Sequence, residues 1–251
     1  MFTDTHCHIL STSYYNPEEI IQNLEKNNIK RIIINGYNLK TNKEVIDLCN
    51  KYPNVYGALG IHPDNINEDI NQNIELIKQN INNPKIIALG EIGLDYFHNK
   101  DNKDNQLNLL ETFLTLAEEY NLPVIIHNRD ATDDLIKLLK KHHTKGIIHC
   151  FSGSIETAKE YIKLGYKLGI GGVLTFKNSK LKETLKSISL TNILLETDSP
   201  YLTPSPLRGL PNEPMYLKFI AEELANIYNI SIEKLSTTLE QNFLATFDIN
   251  N

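Results

Sequence analysis

The 251-residue chain has no tryptophan, only two methionines and only three cysteines. Cys7, Cys49 and Cys150 cannot form a full set of pairs, and none stands in Cys-x-x-Cys spacing. That excludes a disulfide-stapled scaffold and a dithiol redox motif. No apolar run approaches the roughly 18 residues that a membrane span requires. Asp4 breaks the N-terminal stretch where a secretory signal would place its apolar segment, so the setting expected is a reducing cytoplasm without membrane contact. Excess positive charge is missing too. Lys and Arg total 25 against 31 Asp and Glu, a net charge of −6, so a polyanion has to be gripped locally rather than by a general basic surface. Arginine is scarce within those 25 cations, occurring only at positions 31, 129 and 208.

What remains is an ordinary globular composition, 41% hydrophobic and 22% charged, in a chain long enough to bury a large core. Apolar β-branched runs alternate with helical periodicity from end to end. Strands are expected at Phe2–His6, Arg31–Asn35, Val55–Gly60, Ile86–Glu91, Val124–His127, Gly146–His149, Tyr166–Ile170 and Ile193–Asp198. Amphipathic stretches such as Ile70, Ile74, Ile77 and Ile81 lie between them, and two more helices are expected near Tyr216–Tyr228 and Ser231–Phe247. Short, continuously apolar strands suit a parallel sheet covered on both faces. Eight of them in this length is the arithmetic of a single-domain α/β chain, a (β/α)8 TIM-like barrel. An open doubly wound sheet is the alternative, but no Gly-x-Gly-x-x-Gly follows the first strand. The stretch Pro200–Pro214 reads as a long loop, because helical periodicity resumes directly behind it.

Polar residues collect at the C-terminal strand ends, the face on which barrels build their sites. The first strand runs into Asp4-Thr5-His6-Cys7-His8, where alternation turns Asp4, His6 and His8 one way and Cys7 toward the helices. Glu91, His127, His149 and Asp198 stand at the ends of strands four, five, six and eight. Four imidazoles and two carboxylates exceed the needs of one catalytic ion, so the economical arrangement is two divalent ions, with Glu91 as the bridge and Asp4 available to orient a ring. Mixed imidazole and carboxylate ligation leaves Mg, Mn and Zn open. Such ions acidify a bound water, and Asp198 is placed to act both as ligand and as general base.

These residues fall within blocks that resemble the TatD family of metal-dependent deoxyribonucleases. The blocks are Asp4 to His8, Gly60-Ile61-His62-Pro63, Gly90-Glu91-Ile92-Gly93-Leu94-Asp95-Tyr96, His127-Asn128-Arg129, His149-Cys150-Phe151-Ser152-Gly153, and Glu196-Thr197-Asp198-Ser199-Pro200-Tyr201-Leu202 through Arg208-Gly209 and Asn212-Glu213-Pro214. The resemblance spans essentially the whole chain. It implies an amidohydrolase-type barrel, metal ligands at His6, His8, Glu91, His127, His149 and Asp198, and hydrolysis of DNA phosphodiester bonds, commonly as a 3′-to-5′ exonuclease.

Part of a phosphate preference is legible without the family. Arg129 and Arg208 lie in loops on the active face, where a planar fork grips phosphate bidentately; salt bridges to Asp130 or Glu213 are the bland alternative. Arg31 begins strand two, on the opposite face, and reads as structural. His62 follows strand three and is assigned to substrate contact or acid catalysis. Tyr96, Phe97, Phe151 and Tyr201 are candidates for base stacking or for plain packing. The basic stretch Lys137–Lys145 ends a helix at the bottom of the barrel and carries no DNA-binding assignment. Cys7 and Cys150 read as inert buried thiols. The rival functions are an amidohydrolase or deaminase acting on a cyclic amide or nucleobase, an aminoacyl-tRNA deacylase, and a non-catalytic metal-binding adaptor. Oligomeric state leaves no mark on the sequence.

Overall fold

The structure, a computed structural model, describes residues 1–66, 69–98 and 100–249. Strands and helices alternate from the start: β1 (Phe2–Cys7), α1 (Pro17–Gln22), β2 (Ile29–Asn35), α2 (Leu39–Lys51), β3 (Val55–Leu59), α3 (Ile70–Asn80) and β4 (Ile86–Asp95). The alternation continues through α4 (Lys103–Tyr120), β5 (Val124–Arg129), α5 (Thr132–Leu139), β6 (Gly146–Ile148), α6 (Ile155–Lys163) and β7 (Tyr166–Ile170). It ends with α7 (Leu181–Leu185), β8 (Ile193–Leu195), α8 (Leu217–Tyr228) and α9 (Ile232–Phe247). The eight strands are parallel and lie in chain order, which is the expected (β/α)8 barrel. Among the described residues, no helix is long and apolar enough to cross a membrane.

Local chemistry accounts for the element boundaries. Asn38 and Thr41 form a reciprocal capping box at the start of α2, satisfying backbone N–H groups that the first turn leaves free. Asn121, Asn229 and Asp248 end α4, α8 and α9 in the left-handed conformation that short polar side chains tolerate.

The apolar alternation of the strands divides the core in two. One set of side chains packs between strands and helices, and the other fills the barrel interior with Ile33, Ala58, Ile87, Ala88, Ile125, Ile147 and Leu194. Phe243 and Phe247 of α9 join the interior set and plug its N-terminal end. Arg31 lies 4.5 Å over the Phe243 ring and binds Glu240 at 2.5 Å, a structural role on the face away from the functional residues. The basic stretch at this end is paired as well: Lys140 with Glu160, His142 with Glu118 and Lys145 with Asp248.

Three strands differ from the expected bounds in ways that matter for the site, and the first is β4, which runs on past Glu91 to Asp95. β6 stops at Ile148 and β8 at Leu195, so His149 and Asp198 stand just beyond their strands rather than within them. Cys150 (φ 48°) and Asp198 (φ 56°) adopt the left-handed region, which turns the chain out of the ladder. With β8 so short, no ladder closes the barrel between β8 and β1 among the described residues. An isolated bridge of Cys7 with Ser199 stands there instead, together with loop hydrogen bonds from Asp198 N to His6 O (2.9 Å) and from His8 N to Ser199 O (2.7 Å).

Candidate metal centre

All six sequence-predicted ligands converge at the C-terminal mouth of the barrel. β1 contributes His6 and, one residue past its end, His8; β4 contributes Glu91, β5 contributes His127, and the segments that follow β6 and β8 contribute His149 and Asp198. Glu91 is central, and its two oxygens face different partners. Oε2 lies 3.3 Å from His8 Nε2 and 3.6 Å from His6 Nε2, whereas Oε1 lies 2.9 Å from His127 Nδ1 and 3.0 Å from His149 Nε2. Asp198 Oδ1 completes the first group, 3.5 Å from His6 Nε2 and 3.7 Å from His8 Nε2.

The donor set fits divalent ions. Four ligands about 2.1 Å from a tetrahedral ion stand roughly 3.4 Å from one another, and the separations at Glu91 and Asp198 run from 2.9 to 3.7 Å. The backs of the rings determine which nitrogen offers its lone pair. His8 Nδ1–H donates to the Asn35 carbonyl at 2.9 Å, leaving Nε2 to face the cluster. His127 Nε2–H donates to Asp95 Oδ2 at 3.1 Å, leaving Nδ1 to face it. Asp95 is held in turn, because its Oδ1 accepts the backbone N–H groups of Phe97 and His98 at 2.9 Å each.

The electrostatics are those of a compact cluster of opposite charges. Burial, reinforced by the field of His149, holds His6 well below its usual imidazole range. Burial also opposes ionisation of Glu91, but His149, His62 and His127 outweigh it and hold the carboxyl well below its usual range. At His8, His127 and His149 burial again resists charge, yet Glu91 and the neighbouring carboxylates raise all three. Burial pushes the Asp198 carboxyl up to about 6.

His62 is oriented differently. The Asp64 backbone N–H donates to His62 Nδ1 at 3.1 Å, so the ring proton sits on Nε2, which lies 3.5 Å from Glu91 Oε1. Burial lowers its pKa to about 4, so at neutral pH this ring is an uncharged hydrogen-bond donor aimed into the cluster rather than a lone pair.

Asp4 departs from its expected role. Among the described residues it accepts no hydrogen bond from an imidazole; its Oδ1 accepts Thr197 N–H at 2.9 Å and His6 N–H at 3.3 Å, and its Oδ2 accepts the Thr197 hydroxyl at 2.5 Å. It therefore ties β1 to the segment after β8. Arg129 and Arg208 form no salt bridge to Asp130 or Glu213. Arg129 stacks 4.0 Å over Phe97, and Arg208 stacks 4.1 Å over Phe176 while donating to the Thr203 carbonyl at 3.1 Å. The four aromatic candidates divide. Tyr96 and Phe151 are buried packing, whereas Phe97 (57% exposed) and Tyr201 (59%) stand open at the mouth. Cys7 is buried and donates to the Ile33 carbonyl, facing away from the cluster as expected.

Two carboxylates at the back of the cluster were missed in the sequence. Asp95 lies four residues after Glu91 in one extended run, and that even spacing puts both on the same face of the strand. Glu196 stands two residues before Asp198, with Oε1 3.7 Å from His149 Nδ1. Gly93, between Glu91 and Asp95, has φ 152°, and a Cβ there would fall 2.0 Å from the His127 carbonyl oxygen; only glycine lets β4 and β5 approach this closely beside the site.

A (β/α)8 barrel that gathers histidines and carboxylates around one central glutamate at its C-terminal mouth is built as a metal-dependent hydrolase. Residues 3–248 match the family model described as TatD related DNase, and the chain belongs to that family. It is 38% identical, over the full length of both chains, to YabD of Bacillus subtilis, described as an uncharacterized metal-dependent hydrolase. Among solved structures it resembles the TatD homologue YjjV of Escherichia coli, with a TM-score of 0.93 at 31% identity over 99% of this chain and 98% of that one. A TatD family hydrolase from Entamoeba histolytica matches with a TM-score of 0.86 at 25% identity, over 98% and 97% of the two chains.

Proposed function

We propose that the protein hydrolyses phosphodiester bonds in DNA, as a 3′-to-5′ exonuclease that uses two divalent ions. The observation that carries this reading is the division of Glu91. One oxygen faces His6 and His8 and the other faces His127 and His149, which is what a carboxylate bridging two neighbouring ions requires. Glu91, His6, His8 and Asp198 would hold one ion, and Glu91, His127 and His149 the other. When bound, such ions polarise phosphoryl oxygens and lower the pKa of water; Mg, Mn and Zn all suit the ligand chemistry.

The remaining steps belong to the chain itself. Asp198, buried beside His6 and His8, accepts the proton of the attacking water. His62 Nε2–H donates a hydrogen bond to a phosphoryl oxygen, neutral throughout the physiological range. Arg129 and Arg208, without a carboxylate partner among the described residues and braced on phenylalanine rings, offer their forks to flanking phosphates where charge develops. Phe97 and Tyr201 supply exposed ring faces for unpaired bases. The family description, TatD related DNase, points to the same substrate class.

The test is digestion of 5′- and 3′-labelled single-stranded DNA by chelator-stripped protein titrated with Mg or Mn, with Asp198→Asn alongside. The expected result is metal-dependent shortening from the 3′ end, abolished in a variant that keeps the wild-type circular dichroism spectrum. Protein shown to be metal-loaded that leaves both labelled strands intact overturns the proposal.

A further inference from the structure

We infer that Glu196 is a positioning residue for His149, holding that ring from behind so that its Nε2 faces Glu91 and an ion. The inference rests on the proposed metal centre and assigns one more residue to it. Glu196 is fully buried, yet only one of its oxygens is engaged: Oε1 accepts the Cys150 backbone N–H at 2.5 Å. Among the described residues Oε2 has no hydrogen-bond partner, and neither has the buried Nδ1 of His149, which lies 3.7 Å from Glu196 Oε1. Buried polar atoms are seldom left unpaired, and a buried carboxylate with a bare oxygen calls for nearby positive charge.

The other half of the cluster shows what the arrangement is for. His127 faces Glu91 Oε1 through one nitrogen and gives the proton of its other nitrogen to Asp95. His149 faces the same oxygen through Nε2, so its Nδ1–H points backward, and the carboxylate standing there is Glu196. The gap is about 0.8 Å longer than an ordinary N–H···O bond. His149 is stacked on His6 with centroids 4.0 Å apart and rings inclined by 14°, a contact that restricts tilting of the ring.

The space for the carboxylate is made by a glycine. A Cβ at Gly169, in β7, would fall 2.1 Å from Glu196 Oε2, so any side chain there expels the carboxylate. A glycine inside a buried strand otherwise weakens it.

The experiment is calorimetric titration of apo protein with Mn, comparing wild type, Glu196→Gln and Gly169→Ala. It is accompanied by visible spectra of the Co-loaded proteins and by melting temperatures of the apo forms. Glutamine keeps the shape and the bond to Cys150 but removes the charge. One of two bound ions is expected to weaken by about 10- to 100-fold in both variants, with an altered Co spectrum and, in the isosteric Glu196→Gln, an unchanged apo melting temperature. Wild-type Mn affinity at both ions in Glu196→Gln overturns the inference, and if the melting temperature alone falls, the residue is structural only. A wild-type protein that takes up no divalent ion defeats the proposed function itself, and the inference with it.

Discussion

Replacing Asp95 by asparagine is expected to weaken metal binding through the tautomer of His127. Asp95 Oδ1 accepts two backbone N–H groups, from Phe97 and His98, each at 2.9 Å. An asparagine must keep its oxygen on that side, because turning its NH2 group there would oppose donor to donor. The NH2 group is then forced toward His127 Nε2, 3.1 Å away, and that nitrogen has to accept rather than donate. The ring proton moves to Nδ1, the atom that faces Glu91 Oε1 at 2.9 Å, and the lone pair needed by an ion is lost. Removing a residue that orients a metal ligand costs about 10- to 100-fold in affinity. At a metal concentration 1,000 times the wild-type Kd, binding stabilises the native state by about 4.1 kcal/mol; a thirtyfold weaker site gains about 2 kcal/mol. For a chain of this length the difference of about 2 kcal/mol corresponds to roughly 4–8 °C in Tm. Differential scanning fluorimetry of apo and Mn-loaded protein reads it directly. The same metal-induced rise in Tm in both proteins would refute the tautomer argument.

Three further outcomes follow from the same geometry. Arg129→Lys and Arg208→Lys keep the charge but lose the planar fork, so each should raise KM for DNA about fivefold, on the order of 1 kcal/mol, with kcat nearly unchanged in steady-state assays. Because Glu91 and its neighbours raise His8, His127 and His149 in the absence of metal, an ion has to displace protons from them. Metal affinity should therefore fall as pH is lowered through those raised values and strengthen as it rises, and titrations at several pH values that gave a constant Kd would contradict the cluster as described. At the opposite end of the barrel, burial opposes charge on Glu240, but Lys30 and Arg31 hold its carboxyl below the usual range. A depressed carboxyl adds stability above its unfolded pKa and loses it as pH falls through the folded value. Glu240→Gln, which leaves the buried Arg31 without its partner, should cost on the order of 3 kcal/mol at neutral pH and flatten the acid limb of urea-denaturation stability.

The barrel was legible because its strands are buried on both faces and so run apolar without interruption, as Ile32-Ile33-Ile34 and Val124-Ile125-Ile126 do. Glu91, His127 and His149 were legible because each stands at the end of such a run, and His6 and His8 because strand alternation turns both to one side. Strand ends were less visible. His149 and Asp198 reach the cluster where the backbone leaves the ladder, through left-handed conformations at Cys150 and Asp198 that no glycine announces. Asp95 was within reach of the reasoning, since its spacing from Glu91 fixes its face, but a strand expected to stop at Glu91 leaves it in a loop where parity has no meaning. Glu196 lacked even that cue. It stands past the last paired residue of β8, and its place depends on an empty position in another strand, Gly169, which no local pattern connects to it.

Asp4 shows most directly how fold and site depend on each other. From the sequence it is an acid beside two histidines, and the economical reading gives it a ring to orient. In the structure it instead grips Thr197 through both the backbone N–H and the hydroxyl, at the seam between β8 and β1 where no strand ladder stands among the described residues. His6 and His8 lie on one side of that seam and Asp198 on the other, and their ligand atoms must come within 3.5–3.7 Å of each other. Elsewhere in the barrel such a distance is set by regular strand pairing, as between Gly93 and His127. Here it is set by side chains and loop hydrogen bonds. The hydrogen bonds that Asp4 makes across this seam, together with the backbone bonds from Asp198 to His6 and from His8 to Ser199, therefore serve both the closure of the barrel and the placement of Asp198 beside His6 and His8.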